Sequence, residues 1–435
     1  MFLRHKFCFV FIISCFSFSI SAQTLKYERD RHKSILNLVK EDVKKNYFDP
    51  NFKGIDLEAK YRLSLEKLEK AESIGQMSGI VAQFLVDFDD SHLFFIPPGK
   101  ASKTDYGFDF RMVGDKCLVF QVDKKSDAEK QGLQVGDELY SIEGYAPNRD
   151  DLWKIRYYYF RLRPKPGLNV IAIKPDGKQF QYGINAKVTQ GKRVMDLTGR
   201  DLNEFIRESE DADRKETKQY LYDGLEGVFI WKMPHFSLDP SNVDDIMRRA
   251  RKSPAMILDL RGNGGGRVDT VLRLIGNVFS EDVKVADEKK RKETKEVIAK
   301  SRGKDAFSGK IVVLVDSDSA SASEIFSRVI QLEKRGQIFG DRSAGAVMES
   351  EFFDRQLGLD TVIFFGTSVT VADLIMKDGK SLEKVGITPD VLIIPTGKDL
   401  AAKRDVVLSK AIESLGPHMT PEDAGAIFPN IEEDK

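Results

Sequence analysis

From Gly227 to about Asp341, the chain alternates two kinds of segment. Short apolar runs typical of buried β-strands are followed by segments whose apolar residues recur at helical spacing. The runs are, in order, GVFIWKMPHF, AMILDLRG, VDTVLRLIGNVF, KIVVLVDS, ASEIFSRVIQLEK and GQIFGD. Such alternation favours an α/β core in which helices cover the faces of a buried sheet. The charged stretch 281–305 mixes both signs and is predicted to be a solvated excursion from this core.

The composition is that of a globular protein with a large core. The chain has 435 residues, of which 41% are hydrophobic and 31% charged, a size that allows about three domains. Lys+Arg and Asp+Glu both number 68, so the basic excess that accompanies nucleic-acid binding is absent. Nucleic acid is therefore not expected as a partner.

The first residues have the layout of a secretory signal. Arg4 and Lys6 precede an apolar stretch over residues 7–20, and Ser21 and Ala22 supply small residues for cleavage. The prediction is a signal peptide over residues 1–22 and a periplasmic or extracellular location. A membrane anchor is a weaker interpretation, because a spanning helix needs about 20 apolar residues. Lipid attachment at Cys15, which ends a lipoprotein-like IISC sequence, is a second alternative.

Cleavage after Ala22 would leave Cys117 as the one cysteine, so no internal disulfide is expected. Cys117 lies in the apolar run KCLVFQV and is predicted to be buried in a strand. The sequence contains no His/Cys pairs at metal-ligand spacing. Neither a metal nor another cofactor is expected.

Turns rich in Gly and Pro, together with charged runs, mark the predicted domain boundaries. We predict a helical N-terminal domain over 23–100, a domain of short β-strands over 103–190, a charged linker over 191–222, the α/β core over 223–400, and a C-terminal helix and tail over 401–435.

Two segments of the core suggest chemistry. In LVDSDSASASEIF, residues 314–326, the serines at 319, 321 and 323 stand between a strand and a helix. A serine at a helix N-terminus suits a nucleophile, because the partial positive charge there stabilises an oxyanion. The alternative is helix capping by Ser319 or Ser321.

The second segment is DLRGNGGG, residues 259–266. Its consecutive glycines allow backbone N–H groups to approach a ligand closely. The phosphate-binding patterns G-x-x-x-x-G-K-[ST] and G-x-G-x-x-G are both absent. A simple tight turn is the alternative to a ligand-binding loop.

Together, DLRGNGGG, VVLVDSDSASASEIF and GDRSAGA resemble the serine peptidase family of the tail-specific (C-terminal processing) proteases and the tricorn core protease. Upstream, SDAEKQGLQVGDELYSIEG resembles the PDZ signature of periplasmic proteases, with Asp127 where proline is common. The resemblance implies an α/β fold with a crotonase-like (ClpP/crotonase) peptidase core, a PDZ-like β domain and the N-terminal helical domain.

The resemblance also implies site residues. The nucleophile of the family falls on Ser321, and the oxyanion hole falls on the N–H groups of Ala322 and of Gly264 or Gly265. The lysine base of the tail-specific branch aligns with Ala346, so a Ser/Lys dyad is excluded at its usual place.

A histidine base is implied instead. Ser91 and His92, in DFDDSHLFFIPP, resemble the Ser-His pair of the tricorn branch, and DGKSLEKVGITPD places Glu383 as the last member of a Ser-His-Ser-Glu tetrad. His92 would take the Ser321 proton, while Ser91 and Glu383 would orient the imidazole. A structural histidine and a surface carboxylate are the alternatives.

The resemblance finally implies a substrate. An extended protein or peptide would add to the PDZ-like sheet, with Tyr106, Gly107 and Phe108 in the candidate carboxylate-binding loop. The expected activity is that of an exported serine endopeptidase. A non-catalytic peptide or apolar-ligand binding protein on the same scaffold is the alternative, motivated by the missing lysine, and an enoyl-CoA-type enzyme is disfavoured by the serine motif.

Overall fold

A computed structural model describes residues 5–98, 102–190, 218–357 and 363–428 and shows mixed α/β architecture. Its helices are α1 His5–Asn46, α2 Leu57–Glu69, α3 Ile74–Val86, α4 Asp127–Gln131, α5 Leu152–Arg156, α6 Pro240–Ala250, α7 Val268–Gly276, α8 Ala322–Leu332, α9 Gly397–Ala401, α10 Val406–Leu415 and α11 Pro421–Gly425. Its strands are β1 Phe94–Ile96, β2 Ser102–Asp105, β3 Phe108–Val113, β4 Lys116–Val122, β5 Glu138–Ile142, β6 Gly167–Ile173, β7 Gln179–Asn185, β8 Lys187–Gln190, β9 Tyr220–Leu225, β10 Val228–Lys232, β11 Ala255–Asp259, β12 Val283–Lys290, β13 Thr294–Ala299, β14 Lys310–Val315, β15 Gln337–Gly340, β16 Met348–Leu357, β17 Ile363–Met376 and β18 Val391–Leu392.

The chain divides into two compact units, each assembled from segments that are separate in sequence. The first unit combines Met1–Gly99, Tyr157–Pro164 and Glu349–Ala372. The second combines Lys100–Arg156, Lys165–Met348 and Asp373–Lys435. Strand β17 passes along the chain from the first unit to the second after Ala372.

An apolar core holds the first unit together. Ile35, Val39 and Val43 recur at helical spacing on α1 and are buried, so one face of this helix lies in the core. The carboxylate of Asp56 caps α2 by accepting from the backbone N–H of Glu58 and Ala59, which fixes where that helix begins. Strand β1 pairs antiparallel with β17. Further core members are Tyr47, Leu68, Val81, Phe84, Phe95, Leu162, Phe365 and Val369.

A six-stranded sheet, in the order β18-β15-β14-β11-β10-β9, forms the centre of the second unit. Its strands run parallel except for β9 at the edge. Met256 and Leu258 of β11 pack with helices α6, α7 and α8, whereas Ile257 packs with α10 on the opposite face. Helices therefore cover both faces, which explains why β11 and β14 read as continuous apolar runs. The α/β class predicted from the alternation is confirmed.

A second, smaller sheet of five consecutive antiparallel strands, β3-β4-β5-β6-β7, belongs to the same unit. We call it the meander sheet. Cys117 on β4 is buried, and burial raises the pKa of its thiol to about 12. A guanidinium nitrogen of Arg111 on β3 lies 2.8 Å from an oxygen of Asp316, and the N–H of Gly114 donates to Asp341 over 2.7 Å. Since both aspartates directly follow core strands, the meander sheet is fixed at the carboxyl ends of β14 and β15.

Several predicted segments differ from the structure or lie outside it. Residues 1–4, at the start of the predicted signal peptide, lie outside the described residues, as do 191–217 of the predicted linker and 429–435 of the predicted tail. Strand β9 begins at Tyr220, within the end of the predicted linker. Residues 283–299 of the predicted solvated excursion form the hairpin β12-β13, in which Val283 and Val285 alternate inward while most other side chains are exposed or half-buried. Over the described residues, no helix has both the length and the apolar character needed to cross a membrane.

Candidate active site

The three serines between β14 and α8 have different environments. The hydroxyl of Ser319 donates to the carbonyl of Leu260 over 2.8 Å, and that of Ser323 donates to the carbonyl of Asn263 over 2.9 Å. Both side chains are fully buried, so their hydroxyls hold the loop together. Ser321 is partly exposed, and of the three it is the serine that a substrate can reach.

Ser321 has a strained backbone at the start of α8. Its φ is 54° and its ψ is −115°, a conformation that residues other than glycine rarely adopt. Its N–H lies 2.9 Å from the carbonyl oxygen of Ala346 and 3.0 Å from Oε2 of Glu324. Strain of this kind persists where surrounding contacts enforce it, and here those contacts come from the segment 343–346 and from Glu324.

The glycine loop lies directly against Ser321. Gly265 has a φ of 101°, and a Cβ placed on it would lie 2.7 Å from the Cβ of Ser321 and 3.1 Å from the nitrogen of Ala322. The N–H of Gly265 donates to Oδ1 of Asn263 over 2.9 Å. Gly264, by contrast, is exposed. Of the two glycines left open by the sequence, this arrangement favours Gly264 as the donor to an oxyanion.

The contrast between the two glycines gives a test. Gly265→Ala is expected to lower kcat/KM about 100-fold, a loss of the size seen when one oxyanion contact is removed, because the new methyl group would displace Ser321 or Ala322. Gly264→Ala keeps its N–H and has no atom within 4 Å of the added Cβ, so its activity should stay within a few-fold of wild type. Steady-state hydrolysis of a fluorogenic peptide measures both. Equal losses in the two variants would contradict this account of the loop.

Asp316 ties the glycine loop to the serine loop. Its Oδ1 accepts from the N–H of Gly262 over 2.8 Å, and its backbone N–H donates to the Ser319 hydroxyl over 2.9 Å. Burial opposes its ionisation, but Arg111 and the Gly262 N–H hold its pKa below the usual value. A buried carboxylate therefore fixes the spacing between the two loops that flank Ser321.

Glu324 is a second buried carboxylate, one helical turn after Ser321. Its Oε1 accepts from the Ser343 hydroxyl over 2.6 Å and from the Gly345 N–H over 2.8 Å. Its Oε2 accepts from the N–H groups of Ser321 and Ala346, both over 3.0 Å. Burial raises the pKa of Glu324 to about 7, and these four hydrogen bonds act in the opposite direction.

Glu383 lies beside the same segment. Its Oε2 accepts from the N–H of Val347 over 3.0 Å, and the next residue, Lys384, donates its N–H to the carbonyl of Gly345 over 2.8 Å. Ser321, Ala346 and Glu383 are therefore joined through one short stretch, residues 343–347. This stretch includes the position at which the Ser/Lys branch would carry its lysine.

Ser91 and His92 belong to the first unit. The hydroxyl of Ser91 lies 2.7 Å from Nδ1 of His92, which leaves Nε2 as the nitrogen for other chemistry. Asp90 supports the turn: its Oδ1 accepts from the His92 N–H over 3.0 Å and from the Thr370 hydroxyl over 2.6 Å. Burial lowers the pKa of His92 below 6.5, while the charge of Asp90 opposes that shift. A neutral imidazole at neutral pH is the form required of a base.

The candidate peptide-binding residues lie at the start of β3. Tyr106 and Phe108 are buried, and the Tyr106 hydroxyl donates to the carbonyl of Lys165 over 3.1 Å. The N–H of Gly107 donates to Oδ1 of Asp105 over 2.9 Å. Peptide binding at this loop stays a prediction.

The structure thus brings together, in the second unit, the predicted residues Ser321, Ala322, Gly264, Gly265 and Glu383, and in the first unit it joins Ser91 to His92. Sequence reasoning assigned no role to Glu324, Asp316 or Asp90. For Glu324 a signal existed, because Ser-x-x-Glu at a helix start is the pattern of a capping box. Among the described residues, no group of three His, Cys, Asp or Glu side chains is arranged to hold a metal ion.

Comparison with known proteins places this geometry in context. Residues 229–393, which contain the core sheet from β10 to β18, match the model of peptidase family S41. A probable CtpA-like serine protease of Staphylococcus aureus is 28% identical over 234 residues, a match that covers 48% of this chain and 45% of the relative. The match thus spans less than half of that relative's length. The carboxy-terminal processing protease CtpB of Bacillus subtilis is 22% identical over 356 residues, covering 78% of this chain and 67% of the relative.

Among solved structures, mature CPAF is similar in fold. It superposes with a TM-score of 0.64 over 86% of this chain and 94% of that chain, at 15% sequence identity. At this identity the likeness concerns the fold alone.

Proposed function

Residues 229–393 belong to peptidase family S41, and on this basis we propose that the protein is a serine endopeptidase that hydrolyses peptide bonds through an acyl-enzyme on Ser321. The observation that carries the proposal is the position of Ser321. It is a partly exposed serine with a φ of 54° at the N-terminus of a helix, in contact with a glycine loop. Relatives named as carboxy-terminal processing proteases suggest protein or peptide substrates cut near a C-terminus.

The chemistry follows from this position. Oγ of Ser321 attacks the carbonyl carbon of the scissile bond, and the negative charge that develops on the carbonyl oxygen is stabilised by the N–H groups of Ala322 and Gly264. The C–N bond then breaks, and the amine leaves with a proton. Water hydrolyses the resulting ester and restores the serine.

A serine hydroxyl needs a base, and we propose His92. Its Nδ1 is held by Ser91, and its lowered pKa keeps the imidazole neutral near pH 7. In this scheme Nε2 takes the Ser321 proton and returns it to the leaving amine. Glu383 and Ser91 stabilise the imidazolium. Ala346 supplies no basic group at the lysine position of the Ser/Lys branch, which supports the histidine scheme.

The remaining domains fit the same role. We propose that the core is of the crotonase-like type and that the meander sheet is a PDZ-like domain whose edge takes an extended peptide, with Tyr106, Gly107 and Phe108 in its loop. Contacts between this sheet and Asp316 support a position close to the serine loop. The chain is further proposed to be exported after removal of residues 1–22, on the strength of its basic, apolar and small-residue N-terminal pattern.

A fluorophosphonate probe tests the proposal directly. The purified protein is expected to incorporate one probe molecule, mapped by peptide mass spectrometry to Ser321, and to lose peptide hydrolysis in step with labelling. Neither Ser319 nor Ser323 should be labelled, because both are buried and hydrogen bonded. A protein that binds peptides without labelling would instead be a binding module on the same scaffold.

A further inference from the structure

We propose that Glu324 is a positioning residue whose carboxylate clamps the segment 343–346 to the backbone of Ser321, so that the reactivity of the nucleophile depends on the ionisation of Glu324. The inference rests on the proposed nucleophilic role of Ser321. It concerns a residue that lies one helical turn from the reaction and acts through backbone contacts.

Each carboxylate oxygen of Glu324 accepts two hydrogen bonds. One oxygen accepts from Ser343 and Gly345, and the other accepts from the N–H groups of Ser321 and Ala346. The Ser321 N–H also donates to the Ala346 carbonyl over 2.9 Å. Glu324 and Ala346 therefore share the backbone N–H of Ser321, and both acceptors hold that strained residue at the same atom.

The clamp continues to the neighbouring loop. The Ser343 hydroxyl oxygen accepts from the N–H of Ile387 over 2.6 Å. A Cβ on Gly386 would lie 2.7 Å from that hydroxyl and 3.1 Å from Oε1 of Glu324. No larger residue fits at Gly386 without displacement, so the clamp is packed tightly against the loop that carries Glu383.

Protonation would open this arrangement. An ionised carboxylate offers acceptor sites for all four donors, whereas the protonated acid converts one oxygen into a donor that faces other donors. At least one of the four hydrogen bonds is then lost. The Glu324 side chain is fully buried, so water cannot replace the lost partner.

The ionisation of Glu324 falls near neutral pH. Burial raises the pKa of Glu324 to about 7, so the carboxylate form, and with it the closed clamp, gains population as pH rises through that value. Burial also lowers the pKa of His92 below 6.5, so loss of the base occurs at more acidic pH. Labelling of Ser321 should therefore rise with pH through about 7, above the range in which His92 titrates.

Charged groups on the elements around Glu324 are engaged elsewhere. Arg328, on the same helix, pairs with Asp378; Asp341 pairs with Arg149 and Arg342 with Asp115; Glu383 accepts from Val347, and Lys384 lies over the ring of Trp153.

Two variants move the pH dependence in opposite directions. Glu324→Gln has no ionisable group and presents an amide N–H₂ to N–H donors. Its rate of fluorophosphonate labelling at alkaline pH should fall about 100-fold, as expected for a displaced oxyanion site. The labelling that remains should decrease only below pH 6.5, where His92 becomes protonated. Ser343→Ala keeps the carboxylate but removes one hydrogen bond that favours it, so the midpoint should shift above 7. A purely structural role would lower the rate without moving either midpoint.

Amide hydrogen exchange reads the clamp without any catalytic step. After correction for intrinsic rates, protection of the Gly345 and Ala346 amides should rise with pH through about 7 in wild type and be lost in Glu324→Gln. If the amides show this pH-dependent protection but Ser321 is not labelled, the clamp is supported and only the proposed function is overturned. Two results together would overturn the clamp. They are a pH midpoint of Ser321 labelling in Ser343→Ala equal to that of wild type, and protection of these amides in wild type that does not change with pH. Neither measurement uses Glu324→Gln, so the test holds even if that variant fails to fold.

Discussion

Ser321→Ala is expected to lower kcat/KM for peptide hydrolysis about 10⁴-fold or more, the loss that follows removal of a serine nucleophile. The reason is chemical, because no other hydroxyl at the start of α8 is accessible: Ser319 and Ser323 are buried and donate to backbone carbonyls. Hydrolysis of a fluorogenic peptide, with active sites counted by fluorophosphonate titration, measures the loss. Wild-type turnover in the purified Ser321→Ala protein would contradict the assignment.

Ser323→Ala is the matched control, two residues further along the same helix start. Removing its hydroxyl takes one donor from the Asn263 carbonyl, which keeps the N–H of Ala320 over 3.0 Å, so the cost is about 0.5–1.5 kcal/mol in the free energy of unfolding. Its activity should nevertheless stay within about tenfold of wild type, since its side chain touches no reacting atom. Ser321→Ala should show the reverse pattern, with lost activity and little change in stability.

His92→Ala is expected to lower kcat/KM by about 10⁴-fold as well, because the Ser321 hydroxyl would lose the base that accepts its proton. The midpoint of thermal unfolding should change little, since His92 is only half-buried and its imidazole bonds to the adjacent Ser91. Added imidazole should restore part of the activity in this variant by supplying the missing base. Rescue that rises with the neutral fraction of imidazole would identify the lost step as proton transfer.

His235→Ala is the control for this assignment. His235 is exposed. The residue that follows it, Phe236, donates its N–H to the carbonyl of Gly265 over 2.9 Å. His235 is therefore a histidine that adjoins the glycine loop without a proposed role in the reaction. Its replacement should leave kcat/KM within a few-fold of wild type. Inactivation by His235→Ala with an active His92→Ala would transfer the role of base to His235.

The α/β class was predictable from the sequence for a definite physical reason. Parallel strands covered on both faces must be apolar throughout, and AMILD and KIVVLV are buried at nearly every position. The likeness of residues 229–393 to peptidase family S41 was likewise visible in local sequence, since the serine and glycine segments are short and contiguous. The hairpin over 283–299 was missed because the charges of its exposed face hid the two valines that point inward.

The contacts around the candidate site could not be predicted from local patterns, because they join distant parts of the chain. Glu324 bonds to Ser343, 19 residues later, and Asp90 bonds to Thr370, 280 residues later. The roles assigned to His92, Ser91 and Glu383 stay predictions until the variants above are measured.

The division of the first unit among three segments means that its packing can be completed only late in the synthesis of the chain. Asp90 and His92 are synthesised early, yet the hydroxyls of Thr370 and Ser368 that bond to the Asp90 carboxylate and the His92 carbonyl come from strand β17. Strand β1, which follows His92, likewise can pair only after β17 has been synthesised. Because the last segment of the first unit ends at Ala372 in a chain of 435 residues, the ribosome must complete most of the polypeptide before the histidine turn has its full support.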